Sequence, residues 1–343
     1  MRPRILFVGG SLNQTSMLCA VSRHLEEQAD CYFTPYYAQG LLGRMAAHGL
    51  LDFTILGGRH RQDTVAYLQH QRLNVDCGGR RREYDLVVTG SDAIVPPNLR
   101  RRRMVLVQEG MIEPAGWMFH AVRILGLPRY LANTATTGLS DAYARFCVAS
   151  EGYRQLFVAR GVRPEKIAVT GIPNFDNVES FRHNDFPERG YVLVATSNGR
   201  ETFKRGDRPA FLRRAVQLAA GRPMIFRLHP AENCARARAE IEAFVPGARV
   251  LTSGNTNHMI ANCEMLVAEH SSVIFIGLAL GKPVHAELDL HGLRRLIPLQ
   301  NGGRSAQAIA EVCRQVVNDA EPATARRGWL RRAGIPSRAA AAG

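Results

Sequence analysis

The sequence contains very little lysine: three of its 44 basic residues are lysine and the other 41 are arginine. It also lacks long apolar runs. Its longest, such as residues 272–281, fall well short of the roughly 20 residues that span a bilayer. Its seven cysteines form no Cys-x-x-Cys pair, which argues against structural zinc or a disulfide framework and for a reducing compartment. With 46% hydrophobic residues, the chain is too apolar to be disordered, so we expect a globular protein.

Several well-known motifs are missing as well. The chain contains no Gly-x-Gly-x-x-Gly, Walker lysine, His-Glu-x-x-His or Gly-x-Ser-x-Gly motif, so a dinucleotide fingerprint, a P-loop, a zinc site and a serine nucleophile elbow are not supported. We therefore expect neither a metal nor a cofactor. The arginine runs at 80–82 and 100–103 carry no interleaved aromatic residues, so we expect no nucleic acid among the partners.

The charge balance is strongly basic, with a formal net charge of +14. Such a surface would attract nucleic acid, anionic lipid or phosphorylated substrates, and arginine is favoured where a planar group grips phosphate. A genome bias toward arginine codons explains the same excess without any ligand, and both explanations stay open.

Short apolar runs alternate with helix-like stretches along the chain. Continuous runs of Val, Ile and Leu are typical of parallel strands buried on both faces. The runs predicted as strands are 5–8, 85–90, 104–107, 146–149, 167–170, 191–195, 224–228, 249–252, 265–268 and 283–286. The alternation predicts an α/β protein with two Rossmann-like doubly wound domains facing a cleft. Turn residues after position 170 place the domains at 1–180 and 190–320, followed by a basic tail at 321–343 that we expect to fray.

Two candidate sites lie at predicted strand ends in the second domain, where ligands bind in doubly wound folds. Arg227 and His229 end the strand 224–228, and His229 could donate a hydrogen bond to a phosphate oxygen. Ser271 and Ser272 precede an apolar helix and could bind an anion. The simpler alternatives are a histidine that caps a turn and an ordinary serine cap.

In the first domain, Gln108, Glu109 and Gly110 end the strand 104–107. Glu109 is a candidate general base, with a surface turn as the alternative. Two other strand-end segments could contact substrate. They contribute Gly9, Gly10 and Ser11 as a turn near a sugar, acceptor or phosphate, and Ser197, Arg200 and Lys204 as ligands of a diphosphate.

His-Pro after a strand, and Ser-Ser before an apolar helix that ends in Gly-Lys-Pro, resemble motifs of GT-B glycosyltransferases. The likeness is greatest to the group of bacterial sialyltransferases, polysialyltransferases, capsule Kdo transferases and CDP-glycerol glycerophosphotransferases. That group carries an acidic-acidic-Gly motif, His-Pro and serine motifs, which correspond here to Gln108-Glu109-Gly110, His229-Pro230 and Ser271-Ser272. Gln108 departs from the pattern, because the group has an acid there.

The resemblance implies a metal-independent transferase of cell-envelope polysaccharide biosynthesis. It would move a sugar or polyol phosphate from a nucleotide-activated donor, with CMP or CDP favoured over UDP, to a glycan or lipid-linked acceptor. Glu109 would take the acceptor proton, while His229 and the serines would contact the donor phosphate. The acceptor would lie on 1–180 and the nucleotide on 190–320. Such an enzyme would be cytoplasmic and could work peripherally on the anionic inner face of the plasma membrane.

Two alternatives stay open. One is an isomerase resembling UDP-N-acetylglucosamine 2-epimerases, against which we count an apparent scarcity of carboxylates near the motifs. The other is a non-catalytic nucleotide-binding protein on the same scaffold. The residues leave open the donor base, the acceptor, the stereochemical outcome and the oligomeric state.

Overall fold

The computed structural model describes residues 2–52, 54–197, 207–230, 232–269 and 271–319. Their strands form two parallel sheets. The strands of the first sheet are β1 (Arg4–Gly9), β2 (Asp30–Pro35), β3 (Leu86–Thr89), β4 (Arg103–Val107), β5 (Arg145–Val148) and β6 (Ile167–Val169). Those of the second sheet are β7 (Val192–Ala195), β8 (Met224–Arg227), β9 (Arg249–Leu251), β10 (Met265–Ala268) and β11 (Val284–Ala286). We call residues 4–169 the N-terminal unit and residues 192–286 the C-terminal unit.

Helices connect most of the strands. The α-helices are α1 (Leu12–Arg23), α2 (Gly40–Ala47), α3 (Gly58–His70), α4 (Trp117–Leu125), α5 (Glu151–Ala159), α6 (Arg208–Ala219), α7 (Cys234–Phe244), α8 (Thr256–Asn262), α9 (Val273–Ala279), α10 (Leu290–Arg295) and α11 (Ser305–Asn318). Short 3-10 helices occur at Arg129–Thr136, Pro164–Lys166 and Val178–Arg182.

The strand order of each sheet reverses at one place. The first sheet has the order β2-β1-β3-β4-β5-β6 and the second β11-β10-β7-β8-β9. The reversals lie between β1 and β3 and between β7 and β10. In open parallel sheets, ligands bind outside the carboxyl ends of the strands at such reversals. The topology therefore marks two places where a site can lie.

The predicted fold class is confirmed: both units are Rossmann-like parallel sheets. Their central strands are buried almost throughout, as continuous aliphatic runs require. The apolar helix expected after Ser272 is α9, which buries Ile274, Phe275 and Ile276. One strand, β2, was not predicted.

The two units share one buried apolar cluster. Within it, the rings of Tyr153 on α5 and Phe275 on α9 meet edge to face, with centroids 6.1 Å apart. The last helix, α11, falls inside the predicted span 190–320, yet it packs on α1 and on the first sheet. There Arg103 donates hydrogen bonds to the carbonyl oxygens of Val316 (2.8 Å) and Val317 (3.0 Å). The predicted domain limits stay a prediction.

None of the helices formed by the described residues combines the length and the apolar character needed to cross a bilayer.

Candidate functional site

The carboxylate of Glu109 is held by the turn that joins β1 to α1. Its Oε1 accepts hydrogen bonds from Ser11 Oγ (2.8 Å) and Asn13 Nδ2 (3.3 Å), and its Oε2 accepts one from Gln14 Nε2 (2.6 Å). Among the described residues, no arginine, lysine or histidine lies within ion-pair distance of it. Glu109 is half-buried, so this residue, oriented by neutral partners, stays partly accessible to solvent.

The glycines of this turn permit close packing. A Cβ on Gly9 would overlap Thr15, with Thr15 Cα only 3.1 Å away, and one on Gly10 would lie 2.8 Å from Ile55 Cδ1. Both glycines are buried, so of the three residues predicted to contact substrate here, Ser11 alone presents a side chain. That side chain both caps α1 and holds Glu109.

Gln14 occupies the reversal point of the first sheet. Its side chain is buried, and its Oε1 accepts a hydrogen bond from the Gly10 amide at 2.9 Å. A Cβ on Gly90, just after β3, would lie 2.9 Å from Gln14 Cγ. The crevice between β1 and β3 is therefore filled by the side chain that positions Glu109.

The side chain of Gln108 is hydrogen-bonded to the backbone on both sides. Its side chain is fully buried; the Oε1 accepts from the Ala149 amide (2.9 Å) and the Nε2 donates to the Gly110 carbonyl oxygen (2.8 Å). The amide therefore joins the ends of β4 and β5. Both ends of the side-chain amide therefore bond the backbone, and the place of Gln108 in an acceptor loop stays a prediction.

Gly110 brings the two units together. A Cβ built on Gly110 would lie 3.8 Å from Ser272 Cβ and 3.8 Å from the ring of Phe175. The residue after the candidate base therefore faces the start of α9. The Ser271 hydroxyl accepts a long hydrogen bond of 3.4 Å from the Val273 amide, whereas the Ser272 side chain caps nothing. Both serines are partly exposed.

His229 follows β8 and its backbone is firmly held. The His229 amide donates to Glu232 Oε2 (2.7 Å) and to Thr196 Oγ1 (3.3 Å). From the N-terminal unit, Arg59 Nη1 donates to the Pro230 carbonyl oxygen at 2.9 Å. The His-Pro turn thus contacts α3, and His229 is half-buried.

A buried ion cluster lies at the reversal point of the second sheet. Arg208 forms an ion pair with Glu232 and lies 3.7 Å from Glu269. The Ser197 hydroxyl donates to Glu269, and the Thr196 hydroxyl donates to Glu232. Ser197 lies two residues after β7 and Glu269 directly follows β10, so this hydrogen bond bridges the reversal point. Burial raises the pKa of Glu232, although Thr196 and Arg208 act in the opposite direction.

The expectation that carboxylates are scarce near the motifs is wrong. Glu232 lies three residues after His229, and Glu269 lies two residues before Ser271. No local pattern separates them from surface glutamates, because their contacts depend on Arg208, which lies 24 residues from Glu232 along the chain.

Arg227, predicted to bind phosphate, points toward β9. Its Nε donates to Thr256 Oγ1 (3.0 Å), and its Nη1 donates to the carbonyl oxygens of Leu228 (3.2 Å) and Leu251 (3.4 Å). Burial lowers its pKa. Through these contacts the side chain of Arg227 joins β8 to β9 and to Thr256. Arg200 and Lys204, also predicted to bind phosphate, lie outside the described residues.

Asn13, Gln14 and Arg208 were not among the residues that the sequence singled out. A signal existed for Gln14, because Ser11-Leu12-Asn13-Gln14 has the spacing of a capping box. Ser11 Oγ accepts from the Gln14 amide at 3.1 Å as that motif requires. The Gln14 side chain, however, turns to Gly10 and Glu109 instead of the cap.

A cavity of about 460 Å³ lies between α1 and the connection that follows β6, with Arg23, Asn174 and Phe181 in its wall. None of the predicted site residues lines it. In the described part of the chain, no three His, Cys, Asp or Glu side chains gather as metal ligands would.

Comparisons with known proteins identify the fold. No protein-family model and no curated protein matches the chain. Solved structures do match: UDP-GlcNAc 2-epimerase from Neisseria meningitidis bound to UDP-GlcNAc has a TM-score of 0.54 at 11% identity, covering 91% of this chain and 100% of that one. MnaA of S. aureus with UDP has 0.54 at 10%, covering 94% and 99%. The wall teichoic acid polymerase TagF with CDPG has 0.50 at 12%, covering 92% and 89%. At such identities the likeness shows a GT-B-like fold.

Proposed function

We propose that the chain is a metal-independent GT-B-type transferase. It moves a sugar or polyol phosphate from a nucleotide-activated donor, preferably of the CMP or CDP type, to a hydroxyl of a glycan or lipid-linked acceptor in cell-envelope polysaccharide synthesis. It acts in the cytoplasm, at the inner face of the plasma membrane. TagF, a cell-wall polymerase solved with CDPG, shares the fold and supports this class of reaction.

The observation that carries the proposal is the meeting of Gly110 with Ser272. It brings the carboxylate motif of one unit to the serine motif of the other, although 162 positions separate the two residues in the sequence. A transferase needs its base and its donor-phosphate ligands on opposite sides of the reacting atoms, and this contact supports that arrangement.

The N-terminal unit is proposed to activate the acceptor. Glu109 is oriented by three neutral donors and pairs with no described cation, so its carboxylate is available to accept the proton of an acceptor hydroxyl. The bond from that oxygen to the donor carbon or phosphorus forms as the bond to the leaving nucleotide breaks.

The C-terminal unit is proposed to hold the nucleotide. In the first sheet the reversal point is filled by Gln14, whereas in the second it is bordered by the ion cluster and by Ser197, which is partly exposed. His229, Ser271 and Ser272 would donate hydrogen bonds to the leaving phosphate and stabilise the negative charge that develops there. Arg200 and Lys204 stay proposed phosphate ligands.

Turnover by single variants tests this division. With a panel of CMP- and CDP-activated donors, Glu109→Gln and His229→Ala should each lower nucleotide release about 10²- to 10⁴-fold. The exposed residues Glu151 and His291 provide matched controls, since Glu151→Gln and His291→Ala should act at the wild-type rate. Near-normal turnover in both site variants would refute the assignment, and loss of activity on adding EDTA would refute metal independence.

The isomerase alternative gains one observation from the structure. Glu232 and Glu269 place two carboxylates beside His229 and Ser197, and the epimerase of N. meningitidis shares the fold. Arg208 lies against both carboxylates, however, and engages them in a buried ion cluster. Incubation with UDP-GlcNAc, followed by NMR, should show no 2-epimer; its appearance would establish the isomerase instead.

A further inference from the structure

Helix α4 presents apolar side chains to the outside. Trp117 is 78% exposed, Ile124 80% and Leu125 69%. Trp117 and Ile124 are seven positions apart and share one face of the helix, with Leu125 beside them. Leu127 and Leu131, just after the helix, are exposed as well. We call these five residues the α4 surface.

The inner side of α4 is already packed. Phe119 and Val122 are buried with Ala132 and Ala135 in a small apolar cluster of their own. Arg160 fixes this cluster by donating to the Ala135 carbonyl oxygen (2.9 Å). The α4 surface is therefore a second apolar face on a helix whose core contacts are complete, and a contiguous exposed patch of this kind marks an interaction site.

The charged residues of the segment that carries the α4 surface are basic. Residues 114–140 contain no aspartate or glutamate, but they contain Arg123 and Arg129. Arg123 is exposed and lies over the Phe119 ring at 5.7 Å. Glu113 and Asp141 flank this segment, and the Asp92 carboxylate accepts hydrogen bonds from the Gly138 and Ser140 amides. Within the segment itself, aromatic and aliphatic side chains beside arginines match the interface of an anionic bilayer.

Other occupants fit this charge poorly. A second copy would bring another chain of net charge +14 against a basic patch. The last 24 residues of this chain hold five arginines and one glutamate, so they too would be repelled.

We propose that the α4 surface inserts into the interfacial layer of an anionic membrane. Seven residues separate Trp117 from Glu109, which limits the distance between them to roughly 28 Å of extended chain. A lipid-linked acceptor could therefore stay in the bilayer while its polar end reaches Glu109. This use for acceptor delivery rests on the proposed function, whereas the membrane contact does not.

Vesicle sedimentation tests the contact in the absence of nucleotide. The full chain should bind vesicles containing phosphatidylglycerol and not vesicles of phosphatidylcholine. The variant Trp117→Ser/Ile124→Ser/Leu125→Ser should bind about tenfold or more weakly at an unchanged melting temperature. The control Val216→Ser/Leu299→Ser removes exposed apolar side chains of other elements and should bind like wild type. Equal binding by the two variants, or no binding by wild type, would overturn the proposal.

Tryptophan fluorescence provides a readout independent of the triple variant. The chain has two tryptophans, so Trp329→Phe leaves Trp117 as the reporter. Anionic vesicles should shift its emission to the blue, and brominated lipid should quench it. Vesicle binding without either change would show that another surface, or the tail, makes the contact. If these membrane-binding tests fail, nucleotide turnover is unaffected. Their failure is therefore distinguishable from failure of the proposed function.

Discussion

The position of the Glu109 carboxylate depends on a residue that the sequence analysis did not select. Gln14 is buried and donates to Glu109 Oε2 at 2.6 Å. We expect Gln14→Ala to lower kcat about ten- to a hundredfold because the base loses its orientation, with little change in the KM of the donor. The exposed residue Gln28 offers the control Gln28→Ala, which should leave kcat unchanged. A change confined to the donor KM would contradict this positioning role.

A pH dependence follows from Glu232. Burial raises its pKa above the ordinary 4.5, so the folded state holds this proton more tightly than the unfolded chain. The contribution of Glu232 to stability is therefore fully present below about pH 4.5 and is lost as the pH rises through the folded-state pKa. The free energy of unfolding of wild type minus that of Glu232→Gln should fall as pH rises in denaturant titrations; a rising difference would contradict the direction.

The sequence could predict the parts of the site that depend on contacts between residues close together along the chain. Strand ends placed Glu109, His229 and Ser272 correctly at the carboxyl edges of the sheets. The side-chain partners of Gln108 and Arg227 were not predictable, because their burial and backbone partners follow from the packing of neighbouring strands. The ion cluster around Arg208 joins residues from three different segments, and no local pattern reveals it.

At the scale of single elements, the β1–α1 turn depends on the absence of a side chain at Gly9. In Gly9→Ala the added Cβ would overlap Thr15 on α1, so we expect about 1–3 kcal/mol of lost stability from overpacking. Gly116, which has nothing within 4 Å of its Cβ position, offers the control Gly116→Ala. Thermal melts should show a lower midpoint for Gly9→Ala alone, and equal midpoints would refute the packing argument.

Strands were predictable where continuous aliphatic runs form central, doubly buried strands, as for Val87 and Val88 in β3. The edge strand β2 was missed because Cys31, Tyr32, Phe33 and Thr34 form no aliphatic run and the strand ends at Pro35. Its burial instead comes from pairing with β1, which is a tertiary contact.

At the scale of the whole molecule, a polar contact between described residues links the two units. Arg59 on α3 donates to the Pro230 carbonyl oxygen, linking the N-terminal unit to the His-Pro turn. Because its side chain is largely exposed, Arg59→Ala should change stability by less than about 0.5 kcal/mol while lowering turnover severalfold. The exposed Arg101 gives the control Arg101→Ala. Wild-type kinetics in Arg59→Ala would show that this contact does not help to position the His-Pro turn for turnover.

The arginines lie in more than one region of the molecule. The described arginines near the ion cluster are largely engaged: Arg208 contacts Glu232 and Glu269, and Arg227 bonds the backbone. Two further arginines, Arg123 and Arg129, belong to the segment that carries the α4 surface. The positive charge therefore cannot be assigned to one phosphate site, and genome bias remains a sufficient explanation of the preference for arginine over lysine.

The central claim is that the nucleotide binds the C-terminal unit while the base lies on the N-terminal unit. The most direct test is a thermal-shift comparison of CMP, CDP, UDP and GDP with wild type, Glu109→Gln and His229→Ala. A nucleotide at 100 times its Kd adds about 2.7 kcal/mol of stability. We predict that CMP or CDP stabilises wild type and Glu109→Gln, but not His229→Ala. Stabilisation that survives His229→Ala and is lost in Glu109→Gln would contradict the account.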